Sequence, residues 1–181
     1  MSKIPKKARD RRSRLDLDLF VLALVERDIA TPYALLAEAG LSPGATLPVL
    51  GRLESGGHVR RSKPVARGRA EYKITATGRL FVKTGWLPLI DAPIPADVES
   101  ILRTAALALM SGAEKRMVFD YLKKAADAKN QDAKQAATAR SARADGQLYA
   151  WMRALHSAAR LKTDAKVLRD LANRIKETRR P

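Results

Sequence analysis

Between residues 31 and 57 the chain repeats one punctuation: a hydroxyl residue followed by proline, a short apolar-rich run, and then glycine. Thr31 and Pro32 open TPYALLAEAG, which closes on Gly40, and Ser42 and Pro43 open a second run that closes on Gly56 and Gly57. A Ser or Thr side chain accepts a hydrogen bond from one of the first free N–H groups of a helix. Proline loses nothing at the first helical position, where its missing N–H would have been unsatisfied. Glycine just past the end adopts the left-handed conformation that stops a helix. The spacing predicts two short helices joined by a tight turn, and few folds begin that way.

The flanking segments narrow the choice. LDLDLFVLALVE, from Leu15 to Glu26, starts as an alternation but becomes almost wholly apolar without a breaker, which favours a buried helix over a strand. Downstream, HVRRSK and AEYKIT each fit a short strand and are separated by PVARGR, so a β-hairpin with a basic tip is expected. Thr75 then caps a fourth helix through TATGRLFVKTGW, with Gly78 a weak point in its first turn. Helix, helix, helix, hairpin, helix is the order of a winged helix-turn-helix. In that unit the second turn-linked helix enters the major groove of duplex DNA while flanking elements grip phosphates.

Residues 1–14 carry seven basic side chains and one acidic, with little to bury, and read as a basic disordered arm before a domain at 15–86. Residues 87–95, LPLIDAPIP, hold three prolines and are the expected linker. Residues 96–181 are expected to be helical throughout. Val98, Ile101, Leu102, Ala105, Ala106 and Leu109 form one stripe, and Met117, Val118, Tyr121, Leu122 and Ala125 a second. Residues 129–147 are helix-permissive but poor in core residues, and are expected to be exposed or partly frayed. Ala144, Leu148, Trp151, Leu155 and Ala158 follow at spacings of four and three, the seam of a helix packed on another helix. A last helix is expected near 164–177, with Val167, Leu168, Leu171 and Ile175 inward. The fold class is therefore mainly α with a small β-hairpin: an N-terminal winged helix-turn-helix followed by an all-α C-terminal dimerisation region. Because one such reading unit covers about one half-site, the seam is expected to join two copies into a homodimer.

Charge points to the partner. Thirty-five Lys and Arg against 19 Asp and Glu leave +16, which favours a polyanion. Without cysteine there are no disulfides, thiolate metal sites or Cys nucleophiles, and His58 and His156 stand alone, each an ordinary surface or interface residue. No catalytic residues, metal site or cofactor are expected, and the reading is of a binding protein and not an enzyme. No apolar run suits a membrane span and MSKIPKKARDRRSR offers no signal peptide, so a cytoplasmic location is expected.

On a helical wheel of residues 43–55, Leu47, Leu50 and Leu53 fall toward the core, leaving Ala45, Pro48 and Arg52 outward. The expected DNA contacts are Ser42, Ala45, Pro48 and Arg52 on this helix, with Arg52 its one long cationic donor. Arg60, Arg61, Lys63, Arg67 and Arg69 contribute from the hairpin, where Lys73 adds a sixth cation. Trp86 and Trp151 are read as packing residues rather than ligand platforms.

The segment PGATLPVLGRLESGGHV resembles the reading segment of the PadR-like transcription regulators, Pro-Gly-Thr-Leu-Tyr-Pro-Ala-Leu-Lys-Arg-Leu-Glu followed by Gly-Leu-Val. Pro43, Gly44, Pro48, Leu50, Arg52, Leu53, Glu54, Gly57 and Val59 match without a gap. RGRAEYKITATG is similar to the family's wing and closing turn, with Tyr72, Thr75 and Gly78 in the matching places, and Thr31, Pro32 and Tyr33 look like its His-Gly-Tyr. Leu47 stands where the family has tyrosine, and Ala45 and Gly51 replace threonine and lysine. The resemblance covers residues 15–82; beyond residue 96 it is one of layout. It implies a homodimeric, sequence-specific repressor that dimerises through its tail. The alternative is a nonspecific architectural or plasmid-maintenance DNA-binding protein. The operator, the regulated genes and any small-molecule effector stay open.

Overall fold

A computed structural model describes residues 6–62, 71–141 and 148–177. The fold is mainly helical with one two-stranded antiparallel hairpin. Its elements are α1 (Lys6–Val25), α2 (Pro32–Ala39), α3 (Pro43–Ser55), β1 (Val59–Arg61), β2 (Tyr72–Ile74), α4 (Ala76–Gly85), α5 (Leu87–Asp91), α6 (Val98–Met110), α7 (Lys115–Ser141) and α8 (Leu148–Glu177). They form two compact units: Met1–Pro93 with Leu102–Gly112, and Ile94–Ile101 with Ala113–Pro181. Among the described residues no helix is long and apolar enough to cross a membrane.

The first unit is built around α1. Leu19 and the consecutive residues Val21, Leu22, Ala23, Leu24 and Val25 are all buried, so this half of the helix is covered on every side. The helix already includes Lys6, ahead of the expected start at Leu15: Lys, Ala and Arg are strong helix formers, and the buried half supplies the nucleus from which the helix extends backward. Asp16 of the LDLDL stretch becomes an anchor. It is 1% exposed and accepts from Arg103 Nε and Nη2 at 3.3 and 3.2 Å, tying α6 to α1. Arg27, just past the other end of α1, donates to the carbonyl of Met110 at 2.6 Å, where a cation also complements the α6 dipole.

Three successive helices end alike. After α1, α2 and α3 an N–H reaches back five or six residues to a carbonyl: Ile29 to Leu24, Leu41 to Leu35, and His58 to Leu53. The residue that turns the chain, Asp28, Gly40 or Gly57, has φ of 63°, 66° or 71°. The starts follow the sequence reading: Thr31 accepts from the Ala34 N–H at 3.1 Å, Ser42 from Ala45 at 3.4 Å and Thr75 from Gly78 at 3.0 Å.

Thr75 also donates its hydroxyl to the Gly57 carbonyl at 2.7 Å, which fastens α4 to the end of α3. Gly78 belongs in that first turn, because a Cβ there would lie 2.2 Å from the His58 carbonyl oxygen. His58, just before β1, stacks on Phe81 of α4 with ring centroids 4.6 Å apart, and the Tyr72 N–H of β2 donates to the Ala30 carbonyl in the turn after α1 at 2.9 Å. The expected linker is partly structured: Leu87–Asp91 is helical and buries Leu89, and Trp86 is buried with its indole N–H on the Lys83 carbonyl.

In α6 the buried positions are displaced from the expected stripe: Ile101 and Ala105 are buried, with Ser100, Thr104, Leu107 and Ala108, while Val98, Leu102, Ala106 and Leu109 are half-buried. Asp97 caps its start, accepting from Ser100 at 3.0 Å.

In the second unit α7 and α8 run antiparallel, as the pairs Arg169–Asp127 and Lys176–Phe119 require. Val118, Tyr121, Leu122, Ala125, Ala126 and Ala133 of α7 are buried, and so are Ala158, Ala165, Leu168 and Ala172 of α8. Alanines at these positions let the two backbones approach closely. Met117 and Val167, expected inward, are 40% and 44% exposed, because the seam runs through their buried neighbours Val118 and Leu168. The sequence from 159 to 163 has no Gly or Pro, so α8 runs unbroken through the expected gap before residue 164. Lys129 is 2% exposed and donates through Nζ to the Ala96 carbonyl.

The expected dimer seam divides. Ala144 lies outside the described residues, and for Leu148 only the backbone helix is described. Trp151 is 37% exposed and Leu155 half-buried, while Ala158 is buried within its own chain. Of the expected seam residues whose side chains are described, Ala158 is thus covered within its own chain and Trp151 and Leu155 are not fully covered.

Two glycines separate steric from conformational requirements. Gly40→Ala meets nothing within 4 Å and should cost about 1 kcal/mol from the left-handed backbone alone. Gly78→Ala drives a methyl into a backbone carbonyl and should cost more, about 1–3 kcal/mol. Urea unfolding of both variants checks the order.

Candidate nucleic-acid interface

The core-facing stripe of α3 is Thr46, Val49, Leu50 and Leu53, at spacings of three, one and three. Thr46 can lie inside because its hydroxyl donates back to the Ser42 carbonyl at 3.2 Å. Leu47, expected on the core side, is therefore turned outward and is 53% exposed, one helical step from Thr46. Gly44, Pro48 and Gly51 are exposed with it, whereas Ala45 is half-buried. Ser42 is exposed, with its hydroxyl committed to the cap. The outward face from Gly44 to Gly51 is small, uncharged and apolar.

Arg52 does not stand free as the helix's long donor. Its guanidinium grips the Asp18 carboxylate of α1 with two N–H groups, Nε to Oδ2 at 3.1 Å and Nη2 to Oδ1. Hydrogen bonding to Asp18 raises the Arg52 pKa, desolvation opposes that rise, and the charge of the carboxylate adds to it. The arginine is thus a brace between α1 and α3.

The cations collect on the hairpin. Register pairs Val59 with Ile74, Arg60 with Lys73 and Arg61 with Tyr72. Val59 and Tyr72 are buried, and Arg60 and Lys73 point to the exposed side, directly opposite each other. Like charges in that position destabilise a strand pair. Arg61 and Arg79 join them around a cleft of about 410 Å³ that also includes Ser62, Ile74, Thr75 and Ala76, with no acidic residue among the described residues of its lining. Lys63, Arg67 and Arg69 lie outside the described residues. Arg79 is absent from the contacts expected from the sequence, although its place one turn after the Thr75 cap and beyond Lys73 is a usable signal.

No family model matches the chain, and no curated protein matches it.

Since the Arg52–Asp18 pair is partly exposed, a double-mutant cycle with Arg52→Ala and Asp18→Ala should give a coupling of only about 0.2–1 kcal/mol. Coupling measured by denaturant unfolding at low and high salt checks it, and it should shrink as salt rises.

Proposed function

We propose that this chain is a sequence-specific, duplex-DNA-binding transcription regulator of the winged helix-turn-helix type, acting as a homodimeric repressor like the PadR-like proteins its reading segment resembles. The observation that carries the reading is the pairing of Arg60 with Lys73 beside Arg61 and Arg79. Such an arrangement costs free energy in the free protein and returns it when a phosphate sits between the cations. In this reading the hairpin lies along the backbone of the duplex, α3 enters the adjacent major groove with its uncharged face toward the base edges, and α1 backs it through the Arg52 brace.

A dimer touching about six to ten phosphates should lose roughly a thousandfold or more in affinity between 50 and 200 mM salt. Replacing Arg60, Lys73 and Arg79 with alanine should weaken binding to all duplexes alike and flatten the log–log salt slope by about one for each phosphate no longer gripped. Fluorescence anisotropy across a salt series measures both, and an affinity that ignores salt refutes the phosphate grip. Competition with bulk genomic DNA separates a sequence-specific regulator from an architectural protein, since only the former keeps its preferred duplex.

Assembly rests on the first turns of α8, where Trp151 and Met152 are adjacent, large, apolar and 37% and 54% exposed. A second copy covering them would exclude water from the largest apolar side chains of that helix. The full-length chain should sediment as a dimer at micromolar concentration, and Trp151→Ala with Met152→Asp should sediment as a folded monomer. A monomeric wild type refutes the dimer.

A further inference from the structure

The α3 helix presents two features that the fold does not use. Gly51 is exposed in mid-helix, and a Cβ built there meets nothing within 4 Å; at Gly44 it would meet only the Ser42 hydroxyl, at 3.9 Å. Neither glycine has a left-handed backbone. Glycine inside a helix is less stable than alanine, and here neither packing nor conformation calls for it. The glycines lie three residues before and four after Leu47, on the same helical face. Leu47 is itself a large apolar side chain left 53% exposed. A single leucine thus rises from a strip with no side-chain bulk at either end, which lets another surface come close to the helix backbone around it.

Chemistry identifies that surface. In the major groove guanine offers acceptors that select arginine or lysine, adenine offers a donor and acceptor that select asparagine or glutamine, and thymine alone carries a methyl group. From Gly44 to Gly51 α3 has no cation, carboxylate or amide side chain, and the next residue, Arg52, is held by Asp18. An uncharged strip on α3, the helix that leads directly into the hairpin carrying Arg60, Arg61 and Lys73, suits a polyanion whose reading edges are partly apolar.

We propose that Leu47 is the specificity-determining residue of α3: it reads thymine C5-methyl groups, and Gly44 and Gly51 keep the helix slim enough to seat it on the groove floor. The protein selects its sites by apolar contact with A·T pairs rather than by an arginine–guanine hydrogen bond. This inference rests on the DNA-binding reading above and deepens it.

The test starts from duplexes that the full-length protein enriches from a random-sequence pool. Replacing thymine by uracil, one position at a time, removes a methyl and nothing else. Affinity should fall about three- to fivefold for each methyl that Leu47 covers, the value expected for one buried carbon. In Leu47→Ala the uracil and thymine duplexes should bind equally. Gly51→Ala should raise the melting temperature of the free protein while weakening the enriched duplex by about tenfold or more, which an ordinary structural glycine would not do. Equal binding of uracil duplexes by the wild type overturns the proposal. So does a uracil penalty that persists in Leu47→Ala, or wild-type affinity in Gly51→Ala. If no duplex is enriched at low salt, the DNA-binding reading falls and this proposal with it; if duplexes are enriched but uracil is tolerated, only the assignment to Leu47 falls.

Discussion

The first unit depends on a helix that carries its apolar residues on all sides and its anchors on two. Asp16 and Asp18 are two residues apart, so on a helix their side chains diverge by about 200° and meet different partners. Asp16 takes Arg103 of α6 in a nearly dry environment, 1% and 15% exposed. Removing one member of a buried pair of this kind costs about 3–5 kcal/mol. Asp18 takes Arg52 of α3 closer to solvent, where the bond positions more than it stabilises. The LDLDL alternation thus fixes what stands on either flank of α1, and the apolar run after it closes the core.

Once α3 is braced, the rest of the candidate interface follows through short covalent and hydrogen-bonded steps. The left-handed Gly57 ends α3 and aims the chain into β1, and the Gly57 carbonyl accepts from Thr75, which starts α4. Only the hairpin separates these points. Gly78 lets the α4 backbone press against the His58 carbonyl, and the His58–Phe81 stack holds the same junction from the other side. The register that sets Arg60 opposite Lys73 is therefore pinned at its base by contacts that have nothing to do with charge. Relief of the repulsion by register slip would bring a buried residue to the surface, because a one-residue shift inverts every side chain.

What can be read from the sequence is what is decided locally. Thr31, Ser42, Thr75 and Gly40 act within one turn of their own position, so their types and spacing suffice. The hairpin and its cations are legible from the change of period. The orientation of α3 is not, because leucine reads as core and threonine as surface; a hydroxyl bonded to its own helix can be buried, and the wheel turns by one residue when it is. Arg52 reads as a free donor because its partner lies 34 residues away. In the second unit a seam of alanines leaves almost no hydropathy contrast, so Val167 reads as inward and Ala165 escapes notice. Lys129 cannot be placed inside from its type, since only the Ala96 carbonyl makes its burial tolerable.

Three departures from ordinary stability practice in the first unit fall on neighbouring elements, and their placement is informative. Leu47 exposes apolar area, Gly51 gives up helix propensity, and Arg60 faces Lys73. Each is small and easily removed by a single substitution that the surrounding structure would accept: alanine fits at Gly51, any polar residue suits an exposed position 47, and an acid opposite Arg60 would turn repulsion into attraction. Elsewhere the same unit has matched caps, buried leucines and paired aspartates, although Tyr33 and Leu80 are also exposed, at 68% and 63%. Departures that fall together on α3 and the hairpin are of the kind that a binding partner compensates. On the DNA-binding reading proposed above, the compensating partners are an anion for the hairpin and a close, partly apolar surface for α3, which the backbone and groove of one duplex would supply.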